Sequence, residues 1–144
     1  MFKKIFVPVD LSTPKITGKV CKTANDMAIK YGAEIQLVTI LPDYGTPLVA
    51  SFFPDGAQDK IKADLHDKLK ELAVKRFTVK VNIGVIHSSG SKRANSIIKT
   101  IEELNPDLAI LGIRRKHSRN SKRLLGSTSL SVADRAECTV MLVK

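Results

Sequence analysis

The chain has 144 residues, 43% of them hydrophobic, and its 24 basic against 14 acidic residues give a net charge of +10. That length favours one domain over residues 1–144, burying roughly two thirds of the surface its unfolded form exposes, and the apolar content excludes a disordered chain. No apolar run approaches the ~20 residues of a membrane helix. The charge balance favours anionic partners, either a nucleotide or a nucleic-acid backbone.

The chain opens with Lys3 and Lys4, as a signal peptide would, but Pro8 and Asp10 stop the apolar stretch. Residues 3–9 therefore read as a strand buried on both faces, and the protein as cytoplasmic. Ser12 or Thr13 is positioned to cap the following helix, and Pro14 suits its first turn. Ile16, Val20, Ala24, Met27, Ala28 and Tyr31 share one helical face, and Gly32 ends it. Residues 34–40, rich in Ile, Leu, Val and Thr, form a second strand. Residues 41–56 hold three prolines and two glycines with no sustained period, and read as a long loop with at most a turn of helix. Phe52 and Phe53 within it either mark a lid or partner surface or, the favoured expectation, are buried under the loop.

Ile61, Leu65, Leu69, Leu72 and Ala73 recover helical spacing. Residues 78–86 alternate through Val79, Val81, Ile83 and Val85, the pattern of a half-exposed strand at a sheet edge. Ser88 to Ser91 is a loop and cap. Ala94, Ile97, Ile98, Ile101 and Leu104 mark the next helix, broken by Asn105-Pro106. Residues 107–113 form a fourth strand ending in Gly112-Ile113. A helix over about 127–136 and a strand over 139–143 close the chain.

Alternation of this kind predicts an α/β fold, a flavodoxin- or Rossmann-like three-layer sandwich with right-handed crossovers. Its five-stranded, mainly parallel sheet has the order 3-2-1-4-5. Ligands in such folds bind beyond the carboxyl ends of the strands where the order reverses. Here that point lies between Val9-Asp10 and Gly112-Ile113, both beside Gly126-Ser127-Thr128.

Strand, glycine, loop, Gly-Ser-Thr and helix, in that order, put backbone N–H groups and hydroxyls at a helix N-terminus. Such a terminus attracts phosphate through its unpaired donors and its dipole. The plain alternative is that Gly126-Ser127 only caps a helix and that Asp10 only opens one. Neither a Walker loop nor a Gly-x-Gly-x-x-Gly fingerprint is present, which argues against P-loop enzymes and NAD dehydrogenases. Cys21 and Cys138 lack metal-ligand spacing and read as small core residues. His66, His87 and His117 form no metal or catalytic set.

Lys-Lys-Ile-Phe-Val-Pro-Val-Asp at residues 3–10, Leu-Leu-Gly-Ser-Thr-Ser at 124–129 and Ala-Glu-Cys-Thr-Val-Met-Leu-Val at 136–143 resemble the universal stress protein family. The resemblance covers nearly the whole chain. It implies a stress-response and signalling protein that binds ATP, with Mg2+ as companion ion, through Gly-x2-Gly-x9-Gly-Ser/Thr. Gly112 matches the first glycine and Gly126-Ser127 the last pair, with Thr128 adjoining. Asp10, preceded by Pro8 and Val9, matches the acidic residue facing adenine, and Ile40 a position whose backbone contacts adenine. Two departures stand out. Arg115 replaces the second glycine, and ten residues rather than nine separate it from Gly126. One reading is that guanidinium groups of the loop, Arg114 and Arg115 among them, grip phosphate in place of backbone donors.

The resemblance also implies a homodimer through strand 139–143, whose apolar edge invites pairing. Turnover is expected to be slow ATP hydrolysis at most, since no general base can be named. The nucleotide reading predicts adenine selectivity and its loss on Asp10→Ala. The alternative is a nucleotide-free dimeric interaction module whose basic loop, from Arg114 to Arg123, contacts an acidic protein or, less expected, nucleic acid. That loop taken alone reads as a solvated surface.

Overall fold

The computed structural model of the chain describes residues 1–41, 47–88, 92–114 and 126–144. Strands and helices alternate as β1 (Lys4–Val9), α1 (Pro14–Tyr31), β2 (Glu34–Leu41), the short α2 (Pro47–Ala50), α3 (Ala57–Arg76), β3 (Val81–His87), α4 (Arg93–Leu104), β4 (Leu108–Gly112), α5 (Ser127–Arg135) and β5 (Thr139–Val143). The sheet order is β3-β2-β1-β4-β5 with every pairing parallel, as the alternation predicts. β1 and β4 both feed helices away from their shared junction, so the strand order reverses between them.

Side-chain alternation along the central strands divides the core in two. Ile5, Val7, Ile35, Leu37, Leu108 and Ile110 face α1 and α3, packing on Val20, Cys21, Ala24 and Leu69. Phe6, Val38, Ala109 and Leu111 face α4 and α5, packing on Ala94, Ile97, Ile101 and Val132. Leu69 is the one buried residue among the described side chains of α3. Its burial, worth roughly 1.5–3 kcal/mol, seats that otherwise charged helix together with the half-buried Leu72 and Ala73.

Helix ends follow local chemistry. Pro14 starts α1, and Gly32 ends it at φ 64°, a left-handed conformation that glycine adopts without steric cost. Asn105 closes α4 in the same region. At the base of the sheet, the Asp107 carboxylate accepts the backbone N–H groups of Lys3 and Lys4 at 2.8 and 2.9 Å. That contact pins the start of β1 beside the start of β4.

Several expectations change. β3 starts at Val81 rather than Thr78, because the Thr78 N–H donates to Asn25 Oδ1 at 2.9 Å and leaves the sheet. Thr13 stands at the N-cap of α1, yet its hydroxyl turns back to the Asp10 carbonyl instead of capping the helix. Lys92, not a serine, precedes α4; Ser89 to Ser91 lie outside the described residues. Phe52 and Phe53 are 79% and 41% exposed rather than buried. The two core clusters close with α1, α3, α4 and α5, and neither draws on a described side chain from 48–56. Cys21 is buried and Cys138 half-buried, and both are free thiols. Among the described residues, no helix is long and apolar enough to cross a membrane.

Candidate functional site

Where β1 and β4 part, a cavity of about 430 Å³ opens at the carboxyl ends of the strands. That volume falls in the range of small-molecule sites. Pro8, Val9, Asp10, Ile40, Gly112, Arg114, Gly126, Ser127 and Thr128 all line it. The sequence thus brings together residues up to 120 positions apart. Arg115 and the basic run through Arg123 lie outside the described residues. Ile16, Val20, Leu65, Ile97 and Leu111 supply an apolar side to the cavity, suited to a flat ring. The polar side holds Asp10, two arginines and the start of α5.

Asp10 is held from both ends. Its backbone carbonyl accepts the Thr13 N–H at 3.0 Å, the Thr13 hydroxyl at 3.0 Å and the Thr17 hydroxyl at 2.9 Å. Its Oδ1 accepts the Ser12 N–H at 2.9 Å and the Ser12 hydroxyl at 2.6 Å. Its Oδ2 accepts Arg93 Nη1 at 3.1 Å and is also bonded by Arg114 Nη2. Burial pushes the Asp10 carboxyl up, but donation from Ser12 and the charges of Arg114 and Arg93 outweigh it. The net result is an acid below its ordinary range, ionised at neutral pH.

Beneath the cavity, the buried Thr39 hydroxyl donates to the Val9 carbonyl at 2.9 Å, fixing the end of β2 against β1. On the far side, the Ser129 hydroxyl donates to the Gly112 carbonyl at 3.1 Å and ties α5 to β4. Gly126 precedes α5 with φ −65° and ψ 150°, and no side chain caps the helix. The first turns of α1, α4 and α5 carry no acidic residue. Among the described residues, the N–H groups opening α5 and the positive end of its dipole therefore go unopposed, the arrangement that favours an anion.

Periodicity and motif missed Arg93, Thr17, Thr39 and Ser129. Arg93 is the first residue of α4 and reaches Asp10 across 83 residues of sequence. Its signal is positional: a cation opening a helix at the ligand end of the sheet. Thr17 and Ser129 carried a weaker signal, each being a hydroxyl on a helical face otherwise directed inward.

The family model of the universal stress protein family matches residues 1–144. The chain belongs to that family. Solved structures of other universal stress proteins share its fold. The UspA protein of Lactobacillus plantarum is 19% identical, with a TM-score of 0.73 over 99% of this chain and 98% of that one. A universal stress protein from Archaeoglobus fulgidus, solved with dAMP, is 20% identical, with a TM-score of 0.68 over 99% and 98% of the two chains. A third, solved with cAMP, is 16% identical, with a TM-score of 0.68 over 99% and 96%. Within this universal stress protein, the two glycines beside the cavity differ in their surroundings. A side chain at Gly112 would strike α1, whereas Gly126 meets nothing within 4 Å among the described residues.

Proposed function

We propose that this universal stress protein binds an adenine nucleotide, ATP foremost, in the cavity between β1 and β4 and transmits occupancy as a stress-response signal. The observation that carries this reading is the convergence, on one cavity, of nine residues drawn from three strand ends and the start of α5. Adenine would lie against Ile40 and the apolar side, and phosphates over Gly126, Ser127 and Thr128. The relatives solved with dAMP and cAMP support an adenine ligand. Mg2+ would be held by the phosphates themselves. Among the described residues, no group of three His, Cys, Asp or Glu stands ready to take a metal.

The chemistry favours binding over turnover. Asp10 is the one carboxylate lining the cavity among the described residues, and its oxygens are already occupied by Ser12, Arg93 and Arg114. It is a poor general base in that state, because a base must be free to take a proton. Binding would instead shift the population of side-chain conformations of Arg93 and Arg114.

Isothermal titration calorimetry on the purified protein tests the reading. ATP is expected to bind saturably and more tightly than GTP. No saturable heat with millimolar ATP, ADP or AMP would reject it. We further propose that two copies pair along β5 and that the protein works in the cytoplasm.

A further inference from the structure

The carboxylate that faces adenine in the family resemblance is engaged here as a counter-ion. A carboxylate offers about four lone-pair directions to donors. In Asp10 two go to Ser12 and two to Arg93 and Arg114. An adenine amino group could reach Asp10 only by displacing one of these donors. The Ser12 contacts are local, formed two residues away in the same turn. The arginines come from separate elements, α4 and the end of β4, and their side chains are 51% and 56% exposed. They are the partners free to leave.

Two guanidinium groups against one carboxylate leave this side of the cavity with a net positive charge. Both arginines and the start of α5 line the same space. A guanidinium prefers a phosphate when one is offered, since its fork matches two oxygens and phosphate carries more charge. We propose that Asp10 competes with the ligand's phosphates for Arg93 and Arg114, so that the pair selects polyphosphorylated ligands over the bare nucleoside. This rests on the nucleotide reading above and names the ligand class within it: a nucleoside carrying a di- or triphosphate tail. Arg93, placed by α4, is the selectivity residue that pattern and motif did not reveal.

The competition reverses the usual expectation for the acidic residue. Removing the charge at position 10 frees both arginines for phosphate and so tightens binding of the tail. Asp10→Asn keeps an oxygen for Ser12 and is the informative variant. Calorimetric titrations with ATP, adenosine and inorganic tripolyphosphate should be run on the wild type, Asp10→Asn, Arg93→Gln and the double variant.

Asp10→Asn is expected to tighten ATP and tripolyphosphate several-fold, with adenosine changed less than about twofold. Arg93→Gln is expected to weaken both phosphate ligands about tenfold, the worth of one charge-assisted hydrogen bond. In the double variant the gain from Asp10→Asn should shrink, because the two residues share one interaction. Weaker binding of ATP and adenosine together in Asp10→Asn would mean that the carboxylate reads the base, overturning the competition while leaving the nucleotide reading intact. An unchanged ATP affinity in Asp10→Asn or in Arg93→Gln overturns it equally. The second variant alters an exposed first helical residue, so its folding is not at stake. Absence of binding by any of the three ligands to any of the four proteins overturns both readings.

Discussion

Ile16 of α1 occupies the space that a side chain at Gly112 would need: its Cγ1 lies 2.7 Å from where a Cβ would stand, with Val20 Cγ2 at 3.2 Å. The glycine at the end of β4 therefore lets α1 close against the sheet. Its φ is not positive, so conformational freedom is not what selects it. Gly112 thus serves packing, whereas a side chain at Gly126 would meet nothing within 4 Å among the described residues.

The two glycines should separate on mutation. Gly112→Ala is expected to destabilise the fold by about 1–3 kcal/mol through overpacking. That corresponds to a drop of roughly 2–4 °C per kcal/mol in thermal melts for a chain of this size. Gly126→Ala should cost less than about 1 kcal/mol, since its φ of −65° suits any residue. It should nonetheless weaken ATP binding in calorimetry, because a methyl group would stand where phosphate approaches.

Acid should test the Asp10 contacts. Burial raises this carboxyl, but Ser12 donation and the arginine charges lower it further, so it ends below its ordinary value. A folded-state pKa lower than the unfolded value contributes stability that is present above the unfolded pKa, near 3.9 for Asp, and lost as pH falls through the folded pKa. The melting temperature of the wild type minus that of Asp10→Asn should accordingly be largest near neutrality. Below about pH 4 the gap should narrow, as the unfolded reference value dictates. A gap that widens in acid would contradict the assignment.

β5 is an edge strand, with Val140 and Leu142 directed to one core cluster and Met141 and Val143 to the other. All four are half-buried, and the outer backbone edge has no strand partner within the described chain. Pairing with a second copy would satisfy it. Light scattering at micromolar concentration should give twice the 15.8 kDa protomer mass. A protomer mass would refute pairing along this strand.

The two thiols should differ in reactivity. Burial pushes the Cys21 thiol up to about 11, against the opposing influence of Arg76. Cys21 is fully enclosed, whereas Cys138 is half-buried. Thiolate, not thiol, is the nucleophile. In native protein near pH 7.5, mass spectrometry after alkylation should find Cys138 labelled well ahead of Cys21, and denaturant should equalise them.

Sheet order and most elements were legible because each carries a local signal: a β-branched run, a helical stripe, a proline or a glycine at an end. The position of the cavity followed from topology alone, since strand order fixes where the helices diverge. What escaped was contact between distant polar groups. Nothing in the sequence around Arg93 points to Asp10, because their meeting depends on where α4 starts relative to β1. Thr13 misled for a related reason. A hydroxyl at a helix start can bond forward to the helix or back to the preceding turn, and only the turn geometry decides. The expected burial of Phe52 and Phe53 failed because apolar character alone does not say whether a neighbouring element exists to cover it.

The three donors gathered on the Asp10 carbonyl from Thr13 and Thr17 give the cavity one stationary wall. Across the cavity, α4 and the end of β4 reach Asp10 through exposed guanidinium tips. A visiting molecule would consequently displace those two tips while the β1 corner stays put. Any message of occupancy would leave the protein by that yielding side.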